Sequence, residues 1–129
     1  SNGRVVTDFN ATGEYARGVA IQPDGKIIAA GYTTSIGTSA FAAARYNSDG
    51  TLDTATFNPT GAFGGSPNDP GMVTTDIGTS DSGYGLAIQN DGKIVVGGSS
   101  ASDFGVVRYM PDGDLDSSFD TDGKVTTDF

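Results

Sequence analysis

Apolar residues in this chain fall in short runs separated by glycine- and aspartate-rich breaks, and no stretch shows the three-and-four spacing of an amphipathic helix. Runs rich in Val, Ile, Ala and Tyr predict strands near 4–8, 17–22, 26–33 and 41–47, then 72–76, 84–89, 93–99, 104–109 and 124–128. Pro23-Asp24-Gly25-Lys26 and Asn90-Asp91-Gly92-Lys93 read as tight hairpin turns, in which glycine accepts a positive φ that a side chain resists. Ile27-Ile28-Ala29-Ala30 and Ile94-Val95-Val96-Gly97 are apolar without alternation, so both faces of those strands are expected to be covered.

The pattern occurs twice. IQPDGKIIAAG (21–31) returns as IQNDGKIVVGG (88–98), and FAAARYNSDGTLDTATF (41–57) returns as FGVVRYMPDGDLDSSF (104–119) with one residue fewer. A third motif, GRVVTDF at 3–9, recurs as GMVTTDI at 71–77 and GKVTTDF at 123–129. The chain thus reads as one domain of two repeats, approximately 3–70 and 71–122, with 123–129 the first strand of a third.

A sheet covered on both faces needs neighbouring sheets. Four-stranded antiparallel sheets stacked radially, as blades of an all-β propeller, provide them and solve the exposed-edge problem. A two-sheet sandwich is the alternative, but it would leave one face of each sheet wet.

As a set, GKVTTDF, IQxDGKI, RY and DGxLD in this order resemble the delta-60 repeat of bacterial, often secreted or surface-exposed proteins, and the resemblance spans essentially the whole chain. It implies a β-propeller and no defined activity. The extra residues at 35–40 and the long GAFGGSPNDPG stretch at 61–71 depart from the pattern.

Composition narrows the chemistry. Twenty glycines in 129 residues, without a three-residue period, fit frequent turns between short strands. With 16 acidic and 7 basic residues the net charge is −9, so neither nucleic acid nor an anionic membrane is an expected partner. Cysteine, histidine and tryptophan are absent, which removes thiol nucleophiles, Cys/His zinc sites and imidazole triads. No apolar run approaches a membrane span of about 20 residues, and no signal-like segment opens the chain.

The remaining candidates read as parts of the blade. Arg45-Tyr46 and Arg108-Tyr109 occur in both copies, and each arginine is expected to pair with Asp53 or Asp116. Asp112, Asp114, Asp116, Asp120 and Asp122 place five carboxylates in eleven residues, which suggests calcium. The glycine and distal glutamate of an EF-hand are missing, however, and the first copy keeps only Asp49 and Asp53, so Asp-Gly turns are the preferred reading. Turn carboxylates with high expected exposure, and Glu14 as the sole glutamate, give no acid and base pair for glycoside hydrolysis. No catalytic, cofactor-binding or metal-binding residue is therefore assigned. The loop at 61–71, anchored by Ala62-Phe63, is present in one copy only; a tolerated surface insertion is the preferred reading and partner binding the alternative.

Two blades expose an apolar face at each end, so the chain is expected to need neighbours and to form a homo-oligomer, closing head to tail into a ring. Three chains would give six blades and four would give eight; three is preferred. Either Val5–Asp8 or Val125–Asp128 could then complete a neighbour's blade. The expected function is a non-enzymatic scaffold or binding module of a bacterial surface or secreted protein. A lectin-like or carbohydrate-active propeller with a site at the ring axis is the alternative.

Overall fold

A computed structural model describes residues 2–35, 37–61 and 69–129. Its strands are β1 (Gly13–Ile21), β2 (Ile27–Ser35), β3 (Thr38–Tyr46), β4 (Met72–Thr75), β5 (Asp81–Ile88), β6 (Ile94–Ser100), β7 (Asp103–Tyr109) and β8 (Lys124–Thr127). They form two antiparallel meanders, β1-β2-β3-β4 and β5-β6-β7-β8. The hairpins turn at Gly25 and Gly92, with φ of 85° and 86°, as the Asp-Gly signals predict.

The blades are shifted by one strand against the sequence repeat. The VTTD motif opening the second repeat closes the first blade as β4, where Val73 lies opposite Ala43, and the motif at 123–129 closes the second as β8. The strand expected at 4–8 is not one. β4 takes the place beside β3, and residues 4–8 pair with neither sheet.

β1 and β5 each carry a bulge, between Ala16 and Gly18 and between Gly83 and Gly85. Each bulge presses the chain against the neighbouring strand. A Cβ on Gly31 would lie 1.8 Å from the Tyr15 carbonyl oxygen, and one on Gly98 would lie 1.9 Å from that of Ser82. The glycine shared by the two copies is thus dictated by a backbone approach.

The main core lies between the blades. Ile28, Ala30, Phe41, Ala43 and Val73 from the first meet Ile94, Val96, Val107 and Tyr109 from the second, with Phe57 beside them. Burying each large side chain contributes roughly 1.5–3 kcal/mol. The far face of blade one is also apolar: Ala42, Ala44 and Met72 lie there under Phe9. A sandwich would present that face to water, whereas blades are apolar on both sides. The blades meet chiefly through β5, which packs against β1, β2 and β3.

Candidate functional site

Each blade carries a buried cationic knot where its third strand meets the DGxLD turn. In blade one Arg45 Nε donates to Asp53 Oδ2 at 2.8 Å and Lys26 Nζ donates to the same oxygen at 2.8 Å. Thr56 Oγ1 donates to it at 2.7 Å. In blade two Arg108 Nε donates to Asp116 Oδ2 at 2.7 Å, Lys93 Nζ lies 3.0 Å from that atom, and Ser118 Oγ donates to Oδ1 at 2.6 Å. The expected Arg–Asp pairs are present. The lysines were not expected in them, although Lys26 and Lys93 are identical in both copies and that identity was the available signal.

Both carboxyls lie well below the ordinary range. For Asp53, burial pushes the other way and is outweighed by the bonds from Lys26 and Thr56 and the charge of Arg45. For Asp116 the Ser118 hydroxyl contributes most; burial opposes it, and Lys93 and Arg108 add to it. Each guanidinium also covers a ring, Arg45 over Phe57 at 4.8 Å and Arg108 over Phe119 at 4.6 Å. Arg45 Nη1 reaches across to donate to the Pro111 carbonyl at 2.5 Å, and Asn58 N donates to the Asp112 carbonyl at 2.7 Å, so the knot also clamps the two blades together. Carboxylates with two cations and a hydroxyl are poor acids or bases, and this arrangement is structural.

The aspartates considered for calcium mostly cap their own turns. Asp112 Oδ1 accepts from Asp114 N at 3.1 Å, Asp114 Oδ1 from Leu115 N at 2.8 Å, and Asp122 Oδ1 from Lys124 N at 3.0 Å. Among the described residues no group of three or more possible ligands converges on one point. Of the 61–71 insertion, Ala62 and Phe63 lie outside the described residues.

Two carboxylates with no assigned role staple the entry to each blade. Glu14 Oε1 accepts from Phe9 N at 2.6 Å, and Asp81 Oδ2 at the equivalent position accepts from Ile77 N at 2.7 Å. Sequence comparison missed this pair because the residue type changes between the copies while the function does not.

An aromatic cluster sits where the blades converge. Tyr15 stacks on Tyr32 with centroids 4.9 Å apart, Tyr84 meets Tyr32 edge-on at 6.3 Å, and the Arg17 guanidinium lies 5.6 Å from the Tyr32 centroid. Arg17 and Tyr84 are the extra residues of the two bulges, which turn them outward. Their counterparts in the other copy differ, Tyr15 against Ser82 and Tyr32 against Ser99, and that contrast was the signal for a site outside the blade framework.

The outer face of each blade is a further candidate surface. Phe104 and Val106 on blade two occupy the repeat positions of Phe41 and Ala43 in the blade-to-blade core. Phe104 is 63 % exposed where Phe41 is 0 %. On blade one, Ile27, Ala29, Ala44 and Tyr46 occupy the positions of Ile94, Val96, Val107 and Tyr109; Ala44 is buried under Phe9, and the other three are half-buried. A cleft of about 290 Å³ remains beneath residues 5–9, lined by Val5, Phe9, Ala29 and Tyr32 among others. Each outer face is therefore one half of the interface found inside the chain.

A family model described as a beta-propeller domain of unknown function, DUF5122, matches residues 22–55 and 89–119. A search of curated proteins finds no match to this chain.

Proposed function

The chain belongs to the DUF5122 family of beta-propeller domains, and from that premise we propose that it is a non-enzymatic scaffold that assembles through its blades. The observation that carries this is the pairing of the outer faces: what blade two exposes is the half-interface that blade one uses inside the chain, and the reverse. Stacking copies head to tail would repeat the internal interface without inventing a contact. Phe104 would enter the apolar environment that buries Phe41, and Arg108 would reach the Ser48 carbonyl of the next copy as Arg45 reaches that of Pro111.

The repeat motifs support a finer reading, the delta-60 repeat, and with it a role at the surface of, or secreted from, a bacterial cell. A closed ring of three copies, with six blades, is the proposed assembly; four copies would give eight. Static light scattering on the purified chain tests it. A mass of about three times 13.1 kDa is the expected result. A folded species of 13.1 kDa at micromolar concentration would overturn it.

A second reading draws on the Tyr15–Tyr32–Tyr84 cluster with Arg17. Exposed aromatic faces suit the apolar face of a sugar ring, and the convergence of β1 and β5 would bring several copies of the cluster to a ring axis. A lectin of this kind would show hits on a glycan array that vanish in Tyr32→Ala; no hits would leave the scaffold alone.

A further inference from the structure

We infer that residues Arg4–Phe9 form the closing strand of a neighbouring copy's second blade, lying against that copy's β7 in the place its own β8 takes in the isolated chain. The inference rests on the self-association proposed above and specifies which strand seals each contact.

Residues 4–9 already sit as an outer strand does, although neither sheet of their own chain pairs with them. Three contacts repeat those that β4 and Ile77, two residues beyond it, make with blade two. Thr7 Oγ1 and Tyr46 Oη are 2.7 Å apart, as Tyr109 Oη donates to Thr75 Oγ1 at 2.7 Å. Phe9 N is stapled by Glu14 as Ile77 N is by Asp81. The Phe9 side chain, 8 % exposed, packs over Ala42 and Ala44, as Ile77 packs against the core between the blades. The segment also runs directly into β1, as β4 runs into β5.

Each head-to-tail contact has one seat for such a strand, beside Tyr46, and two sequences that fit it: residues 4–9 of one copy and 124–129 of the next. Residues 4–9 are tethered to the seat through Glu14 and the first turn of β1, so their effective concentration there far exceeds that of a strand arriving from another molecule. A neighbour's 124–129 would have to displace them and find the Glu14 carboxylate without that tether. β8 is held by a ladder of four residues, and beyond it Phe129, 92 % exposed, rests edge-on against Phe104 at 4.8 Å, a ring that the head-to-tail contact would itself draw into the next copy. Residues 4–9 therefore keep the seat. The backbone of residues 4–8, which no ladder pairs, accepts the neighbour's β7, and that neighbour's β8 yields.

The repeat fixes the register. Since Val125 lies opposite Val106 and Thr127 opposite Phe104, Val5 should lie opposite the neighbour's Val106 and Thr7 opposite its Phe104. Directly opposed strand residues bring Cβ atoms to about 4.5–5.5 Å, close enough for a disulfide with small adjustment. The chain contains no cysteine, so an introduced pair has no competitor.

The test is the full chain carrying Val5→Cys and Val106→Cys, oxidised and run on a non-reducing gel, with the mass of the unsubstituted chain measured in parallel. Covalent multimers that collapse on reduction are the expected result, together with an assembly that survives deletion of 124–129 and is lost on deletion of 2–9. An assembly of the right mass that gives no covalent multimers, while Val106→Cys with Val125→Cys closes within one chain, would overturn the exchange and leave self-association standing. A monomeric unsubstituted chain would overturn both.

Discussion

Tyr109 donates a hydrogen bond of 2.7 Å to Thr75 across the boundary between the blades. Tyr109 is buried, and burial pushes its phenol well above the usual range, so it remains a neutral donor at any working pH. Thr75 is buried too, and its hydroxyl meets this one phenol from the opposite blade. The same pair of residue types recurs at Thr7 and Tyr46 on the open face of blade one.

Tyr109→Phe is expected to destabilise the chain by about 1–3 kcal/mol, because it leaves the Thr75 hydroxyl buried with its bond unmade. Tyr46→Phe, at the half-buried equivalent, should cost less. Chemical denaturation of both variants against the unsubstituted chain measures the difference, and equal losses would remove the distinction between the interior and the open face.

Asp53→Ala strands the Arg45 guanidinium, whose side chain is 6 % exposed, without its carboxylate. A loss of about 3–5 kcal/mol is expected, the magnitude for breaking a buried pair from one side. Asp116→Ala should cost less, because Arg108 and Lys93 are 19 % and 22 % exposed and can turn toward water. Thermal melts of the two variants check the order.

Acid should weaken the fold through the same two carboxyls. Both are depressed in the folded state, so the stability they contribute is present above the unfolded carboxylate range, about pH 4, and is lost as pH falls through it toward the folded values. The melting temperature is expected to stay level from pH 8 to pH 5 as far as these groups are concerned, then fall. In Asp53→Asn with Asp116→Asn the acid limb should be shallower; an unchanged slope would assign acid sensitivity to other groups.

Gly98→Ala should cost about 3 kcal/mol or more, since its Cβ would be driven into the Ser82 carbonyl at 1.9 Å, while the adjacent Gly97→Ala has nothing within 4 Å and should change stability by less than about 0.5 kcal/mol. Denaturant midpoints of the two neighbours make the comparison internal.

Single-face substitutions test the complementarity of the ends. Phe104→Asp on blade two and Ala29→Asp on blade one each leave one good face, so each variant alone should be monomeric while an equimolar mixture forms a dimer and stops. Mass measurement distinguishes that result from three alternatives: no association, unchanged assembly, or assembly by either variant alone.

The repeat was legible because identical blades need identical turns and identical packing. The Asp-Gly hairpins, the unalternating central strands and the Arg–Asp pairs could all be read from the two copies. The strand expected at 4–8 could not be corrected from sequence, because it shares the motif of true strands at 72–75 and 124–127; it differs in that β4 takes the place beside β3 and this segment pairs with neither sheet. The Glu14 and Asp81 staples were hidden for the opposite reason: their sequences differ, but both place a carboxylate oxygen on the same backbone N–H.

By itself the sequence determined the β class, the number of blades and the residues shared by both, since these follow from local turn chemistry and from a pattern written twice. Only the tertiary structure decided that each blade closes with the opening motif of the next repeat, that residues 4–9 rest on blade one as a strand without a sheet, and that the outer faces match the inner interface. Hydrogen-bond pairing and face-to-face packing join residues far apart in the chain, and no local pattern encodes which edge is already taken.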